Sequence, residues 1–369
     1  MQGLLRRAAV ALTLLPALAA CGSNAGDSPG GGGGGAGGAQ SATCGQREVI
    51  PERLPPFPEP AQSPALRERP AGRVVGLPGR PEGLAFDERT GQVAVGINEP
   101  RGLIAFLDGR SGETGRQVAL PGGPRHLRFA DGAGPLLVPA EDASALIQVP
   151  SGGDGGRLES TPVGRQPHDA VAGAGGRVFV INELDSSMSV VENDRVICTL
   201  PTPANPGGVA AAEDGDRVAA VGVRANQLRL YDARSLRGMG EVGVGIGPTH
   251  VVSDGDRHMF VADTRGDAII FLRTRPRFEV RSRQALPNSS PYGLAYDRER
   301  DELWVTSTER NRVVLFRGRE RVRSFPTVRQ PNSVEVDERT GSVFVAGRYQ
   351  ELQLIDPPQD GSSEGGGQG

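Results

Sequence analysis

A proline recurs at Pro81, Pro124, Pro167, Pro206, Pro248, Pro291 and Pro331, each time opening a short run of small and apolar residues. Successive separations are 43, 43, 39, 42, 43 and 40 residues. A period near 40, filled with strand-length segments between Gly, Asp and Asn turns, is the mark of a β-propeller with one blade per repeat. The expected fold is therefore all-β: seven four-stranded antiparallel blades in a ring. Six blades is the competing count. It would require one degenerate repeat, and the second, with its glycine loop from Ser151 to Gly156, is the weakest.

The first repeat supplies the template. Pro81 to Asp87 reads as the inner strand, Glu88 to Gly91 as a turn, Gln92 to Ile97 as the second strand, Gly102 to Asp108 as the third, and Arg116 to Leu120 as the outer strand. The last repeat restates the turn wording, with Asp337-Glu338-Arg339-Thr340-Gly341 matching Asp87-Glu88-Arg89-Thr90-Gly91. Asp254 and Asp297 stand at the same place, where an Asp side chain bonds nearby backbone and stabilises a tight turn.

Three residues after each proline comes Leu84, Leu127, Ala170, Val209, Val251, Leu294 or Val334, an apolar position kept in every copy, as expected where neighbouring blades bury each other's faces. Trp304, on a second strand, reads as core. His258 reads as a surface residue on a strand edge.

The last repeat runs into Pro357-Pro358 and a Gly/Ser tail without a fourth strand. Arg73 to Leu77 offers the missing one. Pairing it into the last blade closes the ring and removes an open sheet edge. The propeller is thus expected over residues 71–358, with a tail at 359–369.

Residues 1–20 read as an export signal, with Arg6 and Arg7 ahead of an apolar stretch too short to span a bilayer. They run into Leu18-Ala19-Ala20-Cys21, which resembles the lipobox of bacterial lipoproteins. That resemblance implies an acylated Cys21 and a chain anchored in the cell membrane on its extracytoplasmic side. Residues 21–70 follow as a tether, first nearly all Gly, Ala and Ser, then proline-rich and more extended. Cys44 and Cys198 would lie in a compartment where disulfides persist; they either pair or stand as two thiols.

Net charge is −3 and every basic residue is Arg, with no basic stripe of the kind a nucleic-acid binder needs. Pro291-Tyr292-Gly293-Leu294-Ala295-Tyr296-Asp297, followed by Glu302-Leu303-Trp304-Val305, resembles the YVTN and NHL class of propeller repeats, as does Phe260-Val261-Ala262-Asp263-Thr264. The resemblance covers about residues 70–358. It implies an extracytoplasmic binding or scaffolding propeller, monomeric, whose partner is an envelope protein, glycan or small molecule. A minority of that group are lyases and lactonases holding a divalent metal in the axial funnel. The repeat wording itself transfers no catalytic residue.

Chemistry concentrates where the inner strands begin. Three of the four histidines, His126, His168 and His250, fall one or two residues after a blade's proline, with Glu82, Asp169 and Asn332 at equivalent places. These six form the candidate funnel site. They either compose a mixed nitrogen and oxygen set for a divalent metal, or line a water-filled channel through hydrogen bonds. No nucleophile elbow, phosphate loop, haem attachment motif or H-E-x-x-H spacing accompanies them. Two functions follow: a non-catalytic, lipid-anchored binding module with no cofactor, or a metal-dependent hydrolase or lyase working at the funnel.

Overall fold

The computed structural model describes residues 42–43, 60–130, 134–152 and 156–356. The residues read as an export signal, Cys21, Cys44 and residues 357–369 lie outside the described residues. Seven sheets form a ring, and all seven proline-led repeats become blades. The first blade consists of Arg80–Asp87, Gln92–Glu99, Leu103–Asp108 and Thr114–Ala119, paired antiparallel from the channel outward. Blades three to six repeat this order from Pro167, Pro206, Pro248 and Pro291. Two single turns of 3-10 helix, Glu183–Asp185 and Thr308–Arg310, are the only helical elements among the described residues.

Closure follows the three-plus-one scheme. Pro331–Asp337, Ser342–Gly347 and Glu351–Ile355 form three strands of blade seven, and Arg73–Gly76 completes it by antiparallel pairing with Glu351–Ile355. The second blade is the weakest, as its glycine loop suggests. Its inner strand shrinks to Arg128–Phe129, helped by an isolated bridge between Pro124 and Ala140.

Packing explains the repeated apolar position. Each junction between neighbouring blades holds its own hydrophobic layer, giving seven layers around the ring. Leu84, Leu127, Ala170, Val209, Val251, Leu294 and Val334 are all buried in or beside these layers. The layer between blades two and three is small, built on Leu137, Leu146, Ala170, Val178, Val180 and Val191. Trp304 is buried between blades six and seven, 5.8 Å from the Phe325 ring.

The aspartates act as turn formers. The Asp87 carboxylate accepts the N–H of Arg89 at 3.0 Å and of Thr90 at 3.3 Å, and Asp337 accepts that of Arg339 at 3.0 Å. Asp297 accepts the Arg300 N–H at 3.0 Å, and Asp254 accepts those of Asp256 and His258. The His258 ring is half exposed, 2.7 Å from Asp254, on the strand edge where it was expected.

One expectation is modified. The proline-rich stretch read as tether up to residue 70 is laid against blades six and seven from residue 60 onward. The Ser63 N–H donates to Gln330 Oε1 at 2.6 Å, the Gln330 N–H returns a bond to Ser63 Oγ at 3.1 Å, and Asn311 Nδ2 donates to the Pro64 carbonyl at 3.0 Å. Ser63 is consequently buried. Prolines favour an extended path, and an extended path on a surface rich in amide side chains finds partners for its carbonyls. Further upstream, the backbone of Ala42–Thr43 pairs in parallel with Cys198–Thr199 on the outer strand of blade three, where the Cys198 side chain is buried.

Candidate functional site

Most inner strands begin with a register irregularity. Pairing slips between Pro167 and Asp169, Pro206 and Gly208, Pro248 and His250, and Pro331 and Ser333. The residue after the proline is the extra one, as in a β-bulge, which turns a side chain away from the regular pleat. His168 is such a residue in blade three. In blade two, where the strand has not yet begun, the His126 N–H donates to the His168 carbonyl at 3.2 Å. That bond ties the two histidine-bearing segments together.

The result is a cluster that sequence separation does not announce. His126, His168 and His250 each present a ring nitrogen, and these atoms all lie within 4.8 Å of one another. His126 Nε2 and His250 Nε2 are 2.9 Å apart. Ring centroids of His126 stand 5.1 Å from His168 and 4.5 Å from His250, and His250 meets Tyr292 edge-on at 4.3 Å. Blades two, three and five are not consecutive, yet around a narrow channel their first residues meet.

Two of the rings are also oriented from behind. His250 Nδ1 sits 3.1 Å from the Tyr292 carbonyl, which only accepts, so Nδ1 carries the proton and Nε2 the lone pair. His168 Nδ1 sits 3.1 Å from Glu183 Oε2 and 3.7 Å from Glu141 Oε1, so its Nδ1 is turned to the two carboxylates. Burial, reinforced by the charge of His168 and Arg125, lowers the pKa of His250 to about 3. Burial and the neighbouring His250 and His168 depress His126 well below the usual histidine range. At neutral pH both rings are uncharged and hold lone pairs.

Carboxylates and guanidinium groups gather at the end of the channel where the prolines sit. Glu82 is buried between Arg80 at 3.1 Å, Arg348 at 3.4 Å and Arg125 at 3.5 Å, and Arg125 also reaches Glu141 at 3.1 Å. Burial pushes the Glu141 carboxyl up, against the pull of Arg125 and His168. Glu183 is pushed up by burial too, but the bond and charge of His168, with Arg125 and Arg224, outweigh this and leave it lowered. Asn205 Nδ2 donates to Glu183 Oε1 at 3.3 Å, and Asn205 Oδ1 accepts from Arg224 Nε at 2.7 Å.

The other end is open. A cavity of about 760 Å³, within the range of small-molecule sites, extends from His126 and His250 past Asp169 and Asn332 to the turns that follow the inner strands. Asp214, Arg234, Arg298 and Glu338 stand at that mouth.

The six expected site residues therefore separate. His126, His168 and His250 converge. Asp169 lines the cavity wall, its oxygens taken by the N–H groups of Ala170 at 2.8 Å and Val209 at 3.0 Å, and its pKa raised by burial. Asn332 lines the cavity with both amide atoms unpartnered among the described residues. Glu82 is held in the ion-pair cluster and belongs to neither histidine group. Glu141 and Glu183, which with His168 form a second close group, escaped the sequence reading. A signal existed: each is the first residue after its blade's second strand, directly opposite the start of the inner strand.

No family model matches this chain, and no curated protein does. Solved structures are similar in fold. A hydrazine synthase chain of Kuenenia stuttgartiensis aligns with TM-score 0.66 and 16% identity, over 78% of this chain and 97% of that one. A streptogramin B lyase aligns with TM-score 0.66 and 15% identity, over 78% and 97%. Virginiamycin B lyase from Staphylococcus aureus aligns with TM-score 0.66 and 14% identity, over 77% and 98%.

Proposed function

We propose that the channel floor holds a divalent cation through His126, His168 and His250, and that the protein is a hydrolase or lyase acting on a small molecule in the axial cavity. One observation carries this reading: three imidazoles, two buried and one partly buried, bring ring nitrogens within 4.8 Å of one another, and two of them are fixed from behind by a carboxylate or a backbone carbonyl. Metal-ligating histidines are oriented in the same way, because the second hydrogen bond fixes the tautomer and raises ligand basicity. Three nitrogen donors suit zinc, nickel, copper or iron better than magnesium or calcium. A cation there would supply Lewis-acid polarisation of a carbonyl or activation of water.

The chain's own residues define the rest. His126 and His250, uncharged at neutral pH, do not repel a cation. Glu183 holds the His168 ring in place, and Arg125 holds Glu141 and Glu82, so the floor is braced on its far side. Substrate enters from the open mouth. Two of the similar structures bear the name of a lyase, which fits a reaction at an ester or lactone as well as it fits any binding role.

The reading extends to the chain's setting through residues 1–21 and the repeat wording. Acylation of Cys21 would hold a YVTN/NHL-like propeller outside the membrane, where a monomer meets envelope proteins, glycans or small molecules. A second reading rests on the His126–His250 contact. At 2.9 Å this is a satisfied hydrogen bond without any cation, which suits a non-catalytic binding channel. A screen of esters and lactones with metal-loaded and chelated protein separates the two. Turnover that disappears on chelation and in His250→Ala supports the enzyme; binding of an envelope component without turnover under either condition supports the module.

A further inference from the structure

Above the histidines, the channel wall is uneven in a way that points to a ligand. Four residues past the proline, blade two carries Arg128 and blade seven carries Glu335, whereas blade one, between them in the ring, carries only Ala85. Arg128 acts on the Glu335 carboxyl across that gap, and both line the cavity together with Asn332.

Two of these groups lack the partners that buried polar atoms normally have. Asn332 is 3% exposed, and neither its Nδ2 nor its Oδ1 has a hydrogen-bond partner among the described residues. Buried amides are almost always bonded, so the Asn332 amide on the cavity wall has a donor and an acceptor free for a molecule in the cavity. The Arg128 Nε is buried without a partner too. Its terminal nitrogen comes no nearer than 4.0 Å to Asp169, whose oxygens already accept the N–H groups of Ala170 and Val209.

We propose that Arg128, Asn332 and Glu335 form a subsite for a small carboxylate in the axial cavity. The guanidinium fork matches a carboxylate in shape and charge, and the Asn332 amide adds a neutral donor. A multiply charged anion such as phosphate fits poorly, because Asp169, Asp214, Glu335 and Glu338 line the same cavity. Glu335 accepts the Val336 N–H at 3.0 Å, and burial pushes its pKa up to about 7. Arg128 from blade two opposes that rise, while Glu338 from its own turn and Glu88 from blade one add to it. Arg298, from the turn of blade six, is drawn to Glu338 at 3.8 Å. A bound carboxylate favours the protonated form of Glu335, which can donate to it. Affinity should therefore be highest below pH 7 and fall above it.

The subsite deepens the reading above by naming the anionic end of the substrate, but its test does not pass through the cation. Acetate, propionate and benzoate are titrated by calorimetry into chelated full-length protein at pH 6, with acetamide and inorganic phosphate as controls. Saturable binding of at least one carboxylate, weakened about tenfold or more in Arg128→Gln and in Asn332→Ala, is the expected result. Glu335→Gln should bind with the same affinity at pH 6 and pH 8, while the unaltered protein loses several-fold. Melting curves confirm that the variants fold. No saturation by any carboxylate, equal binding of acetamide, or unchanged affinity in folded Arg128→Gln overturns the proposal. Carboxylate binding in a protein that takes up no metal leaves the subsite standing and removes the metal reading; metal uptake without carboxylate binding does the reverse.

Discussion

Two layers of the molecule stand only a residue or two apart along every inner strand, and they follow opposite rules. The position three past the proline is apolar and buried in all seven blades. The two positions just before it differ in almost every blade: Glu82-Gly83, Arg125-His126, His168-Asp169, Gly207-Gly208, Thr249-His250, Tyr292-Gly293 and Asn332-Ser333. Repetition builds the frame because each junction must bury the same kind of surface. Variation marks the channel, where nothing in the packing demands that the blades agree. Substitutions in the first layer should therefore act on stability, and those in the second on ligands.

Removing the closing strand is the severest test of the frame. A chain beginning at Pro78 leaves the edge of Glu351–Ile355 unpaired and uncovers Leu352 and Leu354. It should fail to unfold cooperatively in urea, whereas a chain lacking only residues 1–40 should match the full one. Next in size, Trp304→Ala should cost about 3–5 kcal/mol, the usual range for emptying a buried aromatic site. A loss below about 1 kcal/mol would mean that the blade six and seven junction is not packed as described.

The pH dependence tests the second layer. His126 and His250 have folded pKa values below the unfolded value, so the unfolded chain binds more protons. Their contribution is complete above about pH 6.5 and is lost as pH falls, by up to about 1.4 kcal/mol per unit for each ring. Glu335 works the other way. Its folded pKa is raised to about 7, so stability falls as pH rises from the ordinary carboxylate range through 7. Glu335→Gln should accordingly stabilise the protein at pH 8 by about 1–3 kcal/mol and leave it unchanged at pH 4. Equal urea midpoints for the two proteins at pH 8 would show that Glu335 is solvated.

Smaller effects distinguish support from structure. Glu183→Gln keeps the shape of the brace behind His168 but removes its charge. It should weaken cation binding about 10–100-fold while shifting the melting temperature little. Asp337→Ala, which removes the acceptor for the Arg339 N–H and Thr340 Oγ1, should cost only about 1 kcal/mol and leave cation binding untouched.

Much of the frame was readable from the chain because each rule repeats. Proline spacing gave the blade number, the Asp-Gly turns gave the strand ends, and the absence of a fourth strand before Pro357 pointed to Arg73–Gly76. The channel was readable only in part. His126, His168 and His250 stood out by position, but their convergence depends on the bulge after each proline and on the narrowness of the ring, neither of which is a property of spacing. Glu141 and Glu183 lie after second strands and were hidden by attention to inner ones. Arg128 and Glu335 sit inside strands, where alternation reads as ordinary patterning. The docking of residues 60–70 was missed because proline-rich composition gives an extended path without saying what it lies against.

Elemental analysis of the full-length protein, purified without chelator or affinity metal, bears most directly on the histidine cluster. The account predicts about one zinc, nickel, copper or iron per chain, and none in a folded variant with His126, His168 and His250 replaced by Ala. A folded, metal-free protein that takes up no divalent transition metal on titration would contradict it.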